Sequence, residues 1–169
     1  MNIPATGRIE GGPRSRQVVI ERSFKAPIDD VWHSIVDPER MNRWIGTWTG
    51  EGGAGNRILF TMTAEGQTEG EEAFIHACDP PRFFDVESSV GDESWRMTLT
   101  LTESEGGTNL VFTQDIDDIS DMSSYAIGWE YYLDRLLAVH TDQPFANWDD
   151  YYPSQQEYWQ AANAASPAS

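Results

Sequence analysis

The aromatic side chains are the residues of this sequence best suited to hold a ligand. Trp95 and Met97 share one parity of a segment that alternates apolar and polar residues, while Tyr125, Trp129 and Tyr132 follow one another at spacings of three and four. Trp and Tyr join a large apolar body to one polar atom that needs a partner when buried, so they serve packing and ligand orientation equally well. Phe112 extends the apolar set, and His76, Gln114, Tyr125 and Arg96 supply polar atoms that could anchor a bound molecule. The expected ligand site therefore draws on Trp95, Met97, His76, Phe112, Gln114, Tyr125 and Trp129, with ordinary core packing as the competing account. For Leu133 and Leu136, deeper on the same helical stripe, core packing is favoured.

Patterns for other chemistry are missing. His33, His76 and His140 stand on separate segments without H-x-x-x-H or Cys-His spacing, so no metal site is expected. No G-x-S-x-G elbow offers a serine nucleophile, and Cys78, two residues before Pro80-Pro81, reads as a small buried hydrophobe. Gly50, Gly52 and Gly55 satisfy G-x-G-x-x-G, but a strand-like segment follows where a pyrophosphate-binding helix would have to start. The acids Asp115, Asp117, Asp118 and Asp121 lack the glycine and terminal acid of a calcium loop, and read as a solvated turn before a helix. No cofactor and no catalytic residue is expected.

The charge narrows the partners. Eleven Lys and Arg against 28 Asp and Glu give a net charge of -17 over 169 residues, a field that repels nucleic acid and anionic lipid. Lys25 is the single lysine and Cys78 the single cysteine. An unpaired cysteine, with no apolar stretch of leader or membrane-spanning length, points to a reducing cytoplasm and no membrane. A small hydrophobic ligand is the partner expected, a protein partner is allowed, and the oligomeric state is open.

The elements that must position these residues follow from periodicity. Residues 1–16 lack an apolar period and read as a flexible arm, residues 161–169 as a flexible tail, and residues 17–160 as a single domain. Val18, Val19, Ile20 and Phe24 predict a first strand ended by Ala26-Pro27, after which two short helices carry Val31, Trp32, Ile35 and then Met41 and Trp44. Strand segments then recur at 57–64, 70–78, 83–90, 94–103 and 109–116, separated by short turn-forming runs, which predicts an antiparallel meander. From Asp121 or Ser120 as cap, a helix of about 20 residues, roughly 30 Å long at 1.5 Å per residue, spans the sheet. The fold class is α+β: a curved antiparallel sheet wrapped around a long C-terminal helix, with two short helices after the first strand.

Three stretches carry a family resemblance. "FKAPIDDVWHSIVDPERMNRW" from Phe24, "HACDPPRFF" from His76 and "GWEYYLDRLL" from Gly128 resemble the activator of heat-shock-protein-90 ATPase homologue family, of the START-like SRPBCC superfamily. The resemblance runs from about Val18 to His140 and implies the helix-grip fold, with His76 beside Phe74 and Cys78 on the inner face of the sheet. It also implies an internal cavity, expected next to Trp95 and Tyr125. Three uses of such a cavity fit: a non-enzymatic carrier or sensor of a small hydrophobic or aromatic molecule, a cyclase or aromatase-type enzyme using His76 and a tyrosine, or a chaperone-regulating interaction module. The residues favour the first.

Overall fold

The computed structural model describes residues 2–166. β1 (Arg8–Gly11) pairs along β2 (Arg16–Phe24), whose β-branched run Val18, Val19 and Ile20 favours a strand, after which Pro27 takes the N-cap position of α1 (Ile28–Val36). Asp37 caps the short α2 (Pro38–Met41) by accepting from the Glu39 N–H, with Pro38 in the first turn, where its missing donor costs nothing. Six strands follow: β3 (Thr47–Gly50), β4 (Arg57–Thr61), β5 (Glu71–Asp79), β6 (Phe83–Val90), β7 (Glu93–Ser104) and β8 (Gly107–Asp115). Asp121 then opens α3 (Met122–Thr141), accepting from the Ser124 N–H, and α4 (Gln156–Ala165) ends the described chain.

All eight strands of the described residues form one antiparallel sheet in the order β1-β2-β8-β7-β6-β5-β4-β3. This is the expected α+β helix-grip arrangement, with β3 to β8 as a meander and β2 inserted beside β8. Parity decides the faces: Met97, Leu99 and Leu101 of β7 and Leu110 and Phe112 of β8 point inward and are buried, while Arg96, Thr98 and Thr113 point outward. Leu133 and Leu136 of α3 are completely buried against this face, while Trp129 and Leu137 are half-buried.

One polar cluster joins α3 to both chain ends. Arg22 of β2 donates to Glu130 (2.9 Å) and to Asp134 (2.8 Å), one turn apart on α3. The Thr6 and Gly7 N–H groups also donate to Glu130, at 2.6 and 3.0 Å, and the Tyr151 hydroxyl donates to Asp134 at 2.7 Å. Glu130 is 1% exposed, so its charge is tolerated only because its oxygens are saturated by donors. Burial alone would lower the Arg22 pKa; Asp134 and Glu130 outweigh it and hold it raised.

The chain ends depart from the sequence expectation. Residues 8–11, expected in a flexible arm, pair with β2 in the register Ile9↔Val18, and Gly7 packs so closely that a Cβ there would stand 2.7 Å from Ile20 and 2.8 Å from Trp159. A single apolar residue between Arg8 and Glu10 was too short a pattern to read as a strand. The expected tail at 161–169 is helical through Ala165, and Trp159 of α4 is fully buried. Arg16 fastens its end by donating to the Ser166 carbonyl at 2.7 Å, a cation placed where the helix dipole favours one. Met1 and residues 167–169 of the expected arm and tail lie outside the described residues. β3 was also unforeseen, because Trp48 is flanked by threonines and a glycine run.

Two truncations test this packing. Leu133→Ala should lose about 2 to 5 kcal/mol of stability in chemical denaturation, as a large-to-small change in a closed core. Glu130→Ala should lose about 3 to 5 kcal/mol, because it removes the acceptor of the Thr6 and Gly7 N–H groups and one of the two carboxylates of buried Arg22. An unchanged denaturation midpoint in either variant would contradict the placement of α3.

Candidate functional site

The inner face of β3 to β7, the α1–α2 pair and α3 enclose a cavity of about 330 Å³. Strand parity delivers its floor: Ile58 and Phe60 from β4, Ala73 and Ile75 from β5, Phe84 and Val86 from β6, Trp95, Met97 and Leu99 from β7. Trp32, Ile35 and Val36 of α1 and Met41, Trp44 and Ile45 around α2 form the roof, and Trp129 of α3 closes one side. Gly52 and Gly53, in the turn between β3 and β4, reach the cavity as a loop with no helix behind them. The lining is apolar except for Glu71, Ser88 and the Cys78 thiol, whose pKa burial raises.

Five of the seven tryptophans line this space: Trp32, Trp44, Trp48, Trp95 and Trp129. Three have their N–H groups occupied by the protein itself. Trp44 donates to the Ser34 carbonyl (2.8 Å), Trp48 to the Val36 carbonyl (2.9 Å) and Trp129 to Gln114 Oε1 (2.6 Å). Those bonds lock the ring orientations, so the indoles meet the cavity as rigid hydrocarbon surface and little entropy is lost when a ligand packs on them.

The expected site residues divide into three groups. Trp95, Met97 and Trp129 line the cavity. Phe112 and Gln114 stand behind it: Phe112 packs against Trp129 at a centroid distance of 4.3 Å, and Gln114 holds the same indole by its nitrogen. Tyr125 packs against Trp95 at 5.1 Å, at the cavity end. His76 is a correction. Ala73 and Ile75 face inward, so alternation turns His76 out together with Phe74, its Nε2 2.8 Å from Glu87 and its ring 4.7 Å from Phe74; the register shift between Ile75 and Ala77 then brings Cys78 inward. The hydrogen bond to His76 is the main reason Glu87 is held below the usual carboxylate range. Arg96 also faces outward, bonded through two nitrogens to Asp85 at 2.8 and 2.7 Å. Sequence reasoning missed the roof tryptophans Trp32, Trp44 and Trp48 as site residues; their concentration just after the first strand was the available signal.

The roof is clasped to the end of α3 by a buried polar cluster. Ser34 Oγ lies 2.9 Å from His140 Nε2, Asp30 Oδ2 lies 3.6 Å from His140 Nδ1, and Arg40 donates to Asp30 (2.6 Å) and to Ser34 (3.1 Å). Serine, histidine and aspartate in line are the types of a nucleophile triad, but Ser34 is 1% exposed and out of reach of a substrate. Burial holds the His140 pKa below its ordinary value, with Asp30 opposing and Arg40 adding to the shift.

A strongly curved meander closed by one long helix, with a lidded apolar cavity between them, defines the helix-grip class of α+β domains. Residues 25–141 match the family model described as Activator of Hsp90 ATPase homolog 1-like protein, and the chain belongs to that family. The solution structure of CalU16 from Micromonospora echinospora is 23% identical, with a TM-score of 0.74 and 95% of each chain covered. A conserved protein of unknown function from Enterococcus faecalis, EF2215, is 17% identical with a TM-score of 0.71, covering 96% of this chain and 92% of that one. DynU16, from the dynemicin biosynthetic locus, is 20% identical with a TM-score of 0.67, covering 78% of this chain and 49% of that one. Likeness at these identities shows the fold alone. A comparison with curated proteins finds no match. Among the described residues no helix is long and apolar enough to cross a membrane.

The clasp predicts a pH response. Because the folded His140 pKa lies below its unfolded value, the unfolded chain takes up the proton first, and stability falls as pH drops below about 6.5. Denaturant midpoints measured between pH 7.5 and 5.5 should therefore decline, and His140→Gln should flatten the decline. An equally steep profile in the variant would remove His140 from this account.

Proposed function

We propose that the protein is a non-enzymatic binder of a small hydrophobic or aromatic molecule, working as a carrier or sensor. The observation that carries this reading is the 330 Å³ cavity walled by five tryptophans, three of them locked in place. The volume falls at the lower end of the roughly 300 to 1,000 Å³ of ligand pockets, and the mix of apolar wall and few polar groups matches their composition. An enzyme of the cyclase type would require an acid and a base within hydrogen-bond reach inside the cavity. The one histidine–carboxylate pair of that kind on the sheet, His76 with Glu87, faces the other side. The origin of DynU16 in a biosynthetic locus agrees with a small-molecule ligand. A chain with one half-buried thiol and no disulfide among its described residues suits a reducing cytoplasm.

The test uses N-phenyl-1-naphthylamine, an uncharged probe whose emission rises in apolar surroundings. Saturable binding with micromolar affinity is expected, together with quenching of tryptophan fluorescence. Ala73→Phe, which places a ring in the cavity, should weaken binding at least about tenfold while the far-ultraviolet circular dichroism is preserved. Absence of saturable binding to the unaltered protein would overturn the proposal.

A further inference from the structure

The oxygen-bearing side chains of the cavity, Glu71 and Ser88, lie at one end, away from Cys78. Ser88 stands between Ala73 of β5 and Trp95 of β7 in one cross-strand row. One row further toward the rim, Val90 pairs with Glu93, and Glu71, two residues before Ala73 on the same face of β5, falls into the same row. Two carboxylates thus flank one valine at a separation of about two strand spacings, roughly 10 Å. Tyr125 stands over them from α3, its ring against Trp95.

Among the described residues the two carboxylates are left without a donor or a cation. Glu93 Oε1 is fully buried without a hydrogen bond, and among the described residues neither Glu71 nor Glu93 has a cation within ion-pair distance. On the outer face Asp85 is matched by Arg96 and Asp115 by Arg14. Burial raises the Tyr125 pKa, and Glu93, Glu71 and Asp121 add to the shift, so all three carboxylates lie within electrostatic reach of its hydroxyl. A buried acceptor without a donor is costly, and a site that leaves one open at the rim of an apolar cavity is complementary to a group bearing N–H donors and positive charge.

We propose that the ligand is an aromatic or apolar molecule carrying a protonated amine, its ring system among the tryptophans and its ammonium group at the Glu71–Glu93 rim against Trp95 and Tyr125. This rests on the binding reading above and specifies its chemistry. The rim is where a cation can sit: the carboxylates supply charge-assisted acceptors, Ser88 and Tyr125 offer further oxygens, and the two ring faces add cation–π attraction. Deeper among Ile75, Phe84 and Leu99 the same charge would be stripped of water with no return, so the molecule has one orientation only.

Calorimetric titration of the full chain at pH 7 and low salt with 1-naphthylmethylamine and its uncharged counterpart 1-naphthylmethanol separates this proposal from the cavity reading. The amine should bind at least about tenfold more tightly than the alcohol. Glu71→Gln and Glu93→Gln should each reduce that ratio about threefold or more while leaving the alcohol's affinity unchanged, whereas Glu105→Gln, at the exposed turn between β7 and β8, should leave the ratio intact. Equal affinity for the two probes overturns the amine proposal and leaves the cavity reading standing. A ratio that falls as much in Glu105→Gln as in the rim variants also overturns it, because the preference would then belong to the net charge of -17. Failure of both probes to bind overturns both readings.

Discussion

The position of α3 depends on one guanidinium shared between two carboxylates. Arg22 projects from β2, and Glu130 and Asp134, one helical turn apart, can meet it together only in one axial register of the helix. A purely apolar stripe would allow neighbouring registers at small cost. The buried ionic cluster does not, since a slip would leave Glu130 without donors in a site 1% exposed to water. The cluster also recruits both chain ends, through the Thr6 and Gly7 amides and the Tyr151 hydroxyl.

The cavity follows from that anchoring. Tied to β2, α3 lies toward one side of the eight-stranded sheet and cannot also cover β4 to β6. That half is roofed by α1 and α2, which are short and joined through the Asp37 cap, so they bridge the curved floor without descending onto it. Trp44 and Trp48 hydrogen-bond to the carbonyls of α1 and are held up as walls, where an unbonded ring could rotate and fill the gap. The Asp30–Arg40–Ser34–His140 clasp fastens the free end of the roof to the last turns of α3. The same anchoring therefore sets the cavity's far wall, Trp129, and its roof.

The sheet's outer face shows what the cavity avoids. There Arg96 pairs with Asp85, Thr98 with Thr113 and His76 with Glu87, so polar side chains are matched across strands. Alternation from inward Ile75 sends His76 to this side, and the bulge that follows returns Cys78 to the floor of the cavity.

Much of the fold could be read from residue order. The alternation in β7 and β8, the turn residues between strands and the three-and-four spacing along α3 each report local geometry that a chain obeys whatever surrounds it, so the meander, the closing helix and the inward placement of Trp95, Met97 and Trp129 were legible. Three features were not. Buried Glu130 and part-exposed Asp134 look like solvent-facing acids until Arg22, more than a hundred residues away, is placed beside them. The end segments carry too little apolar pattern to predict β1 and α4, which are held by β2 and by α3 respectively, with Gly7 and Trp159 packed together beside them. The run from Phe74 to Cys78 is apolar on both parities, and His76 went outward with Phe74 because Ala73 and Ile75 took the inner face. Periodicity is a property of neighbouring residues and survives in the sequence alone; pairing between distant residues, and the empty space left where pairing ends, arises only when the whole chain is folded.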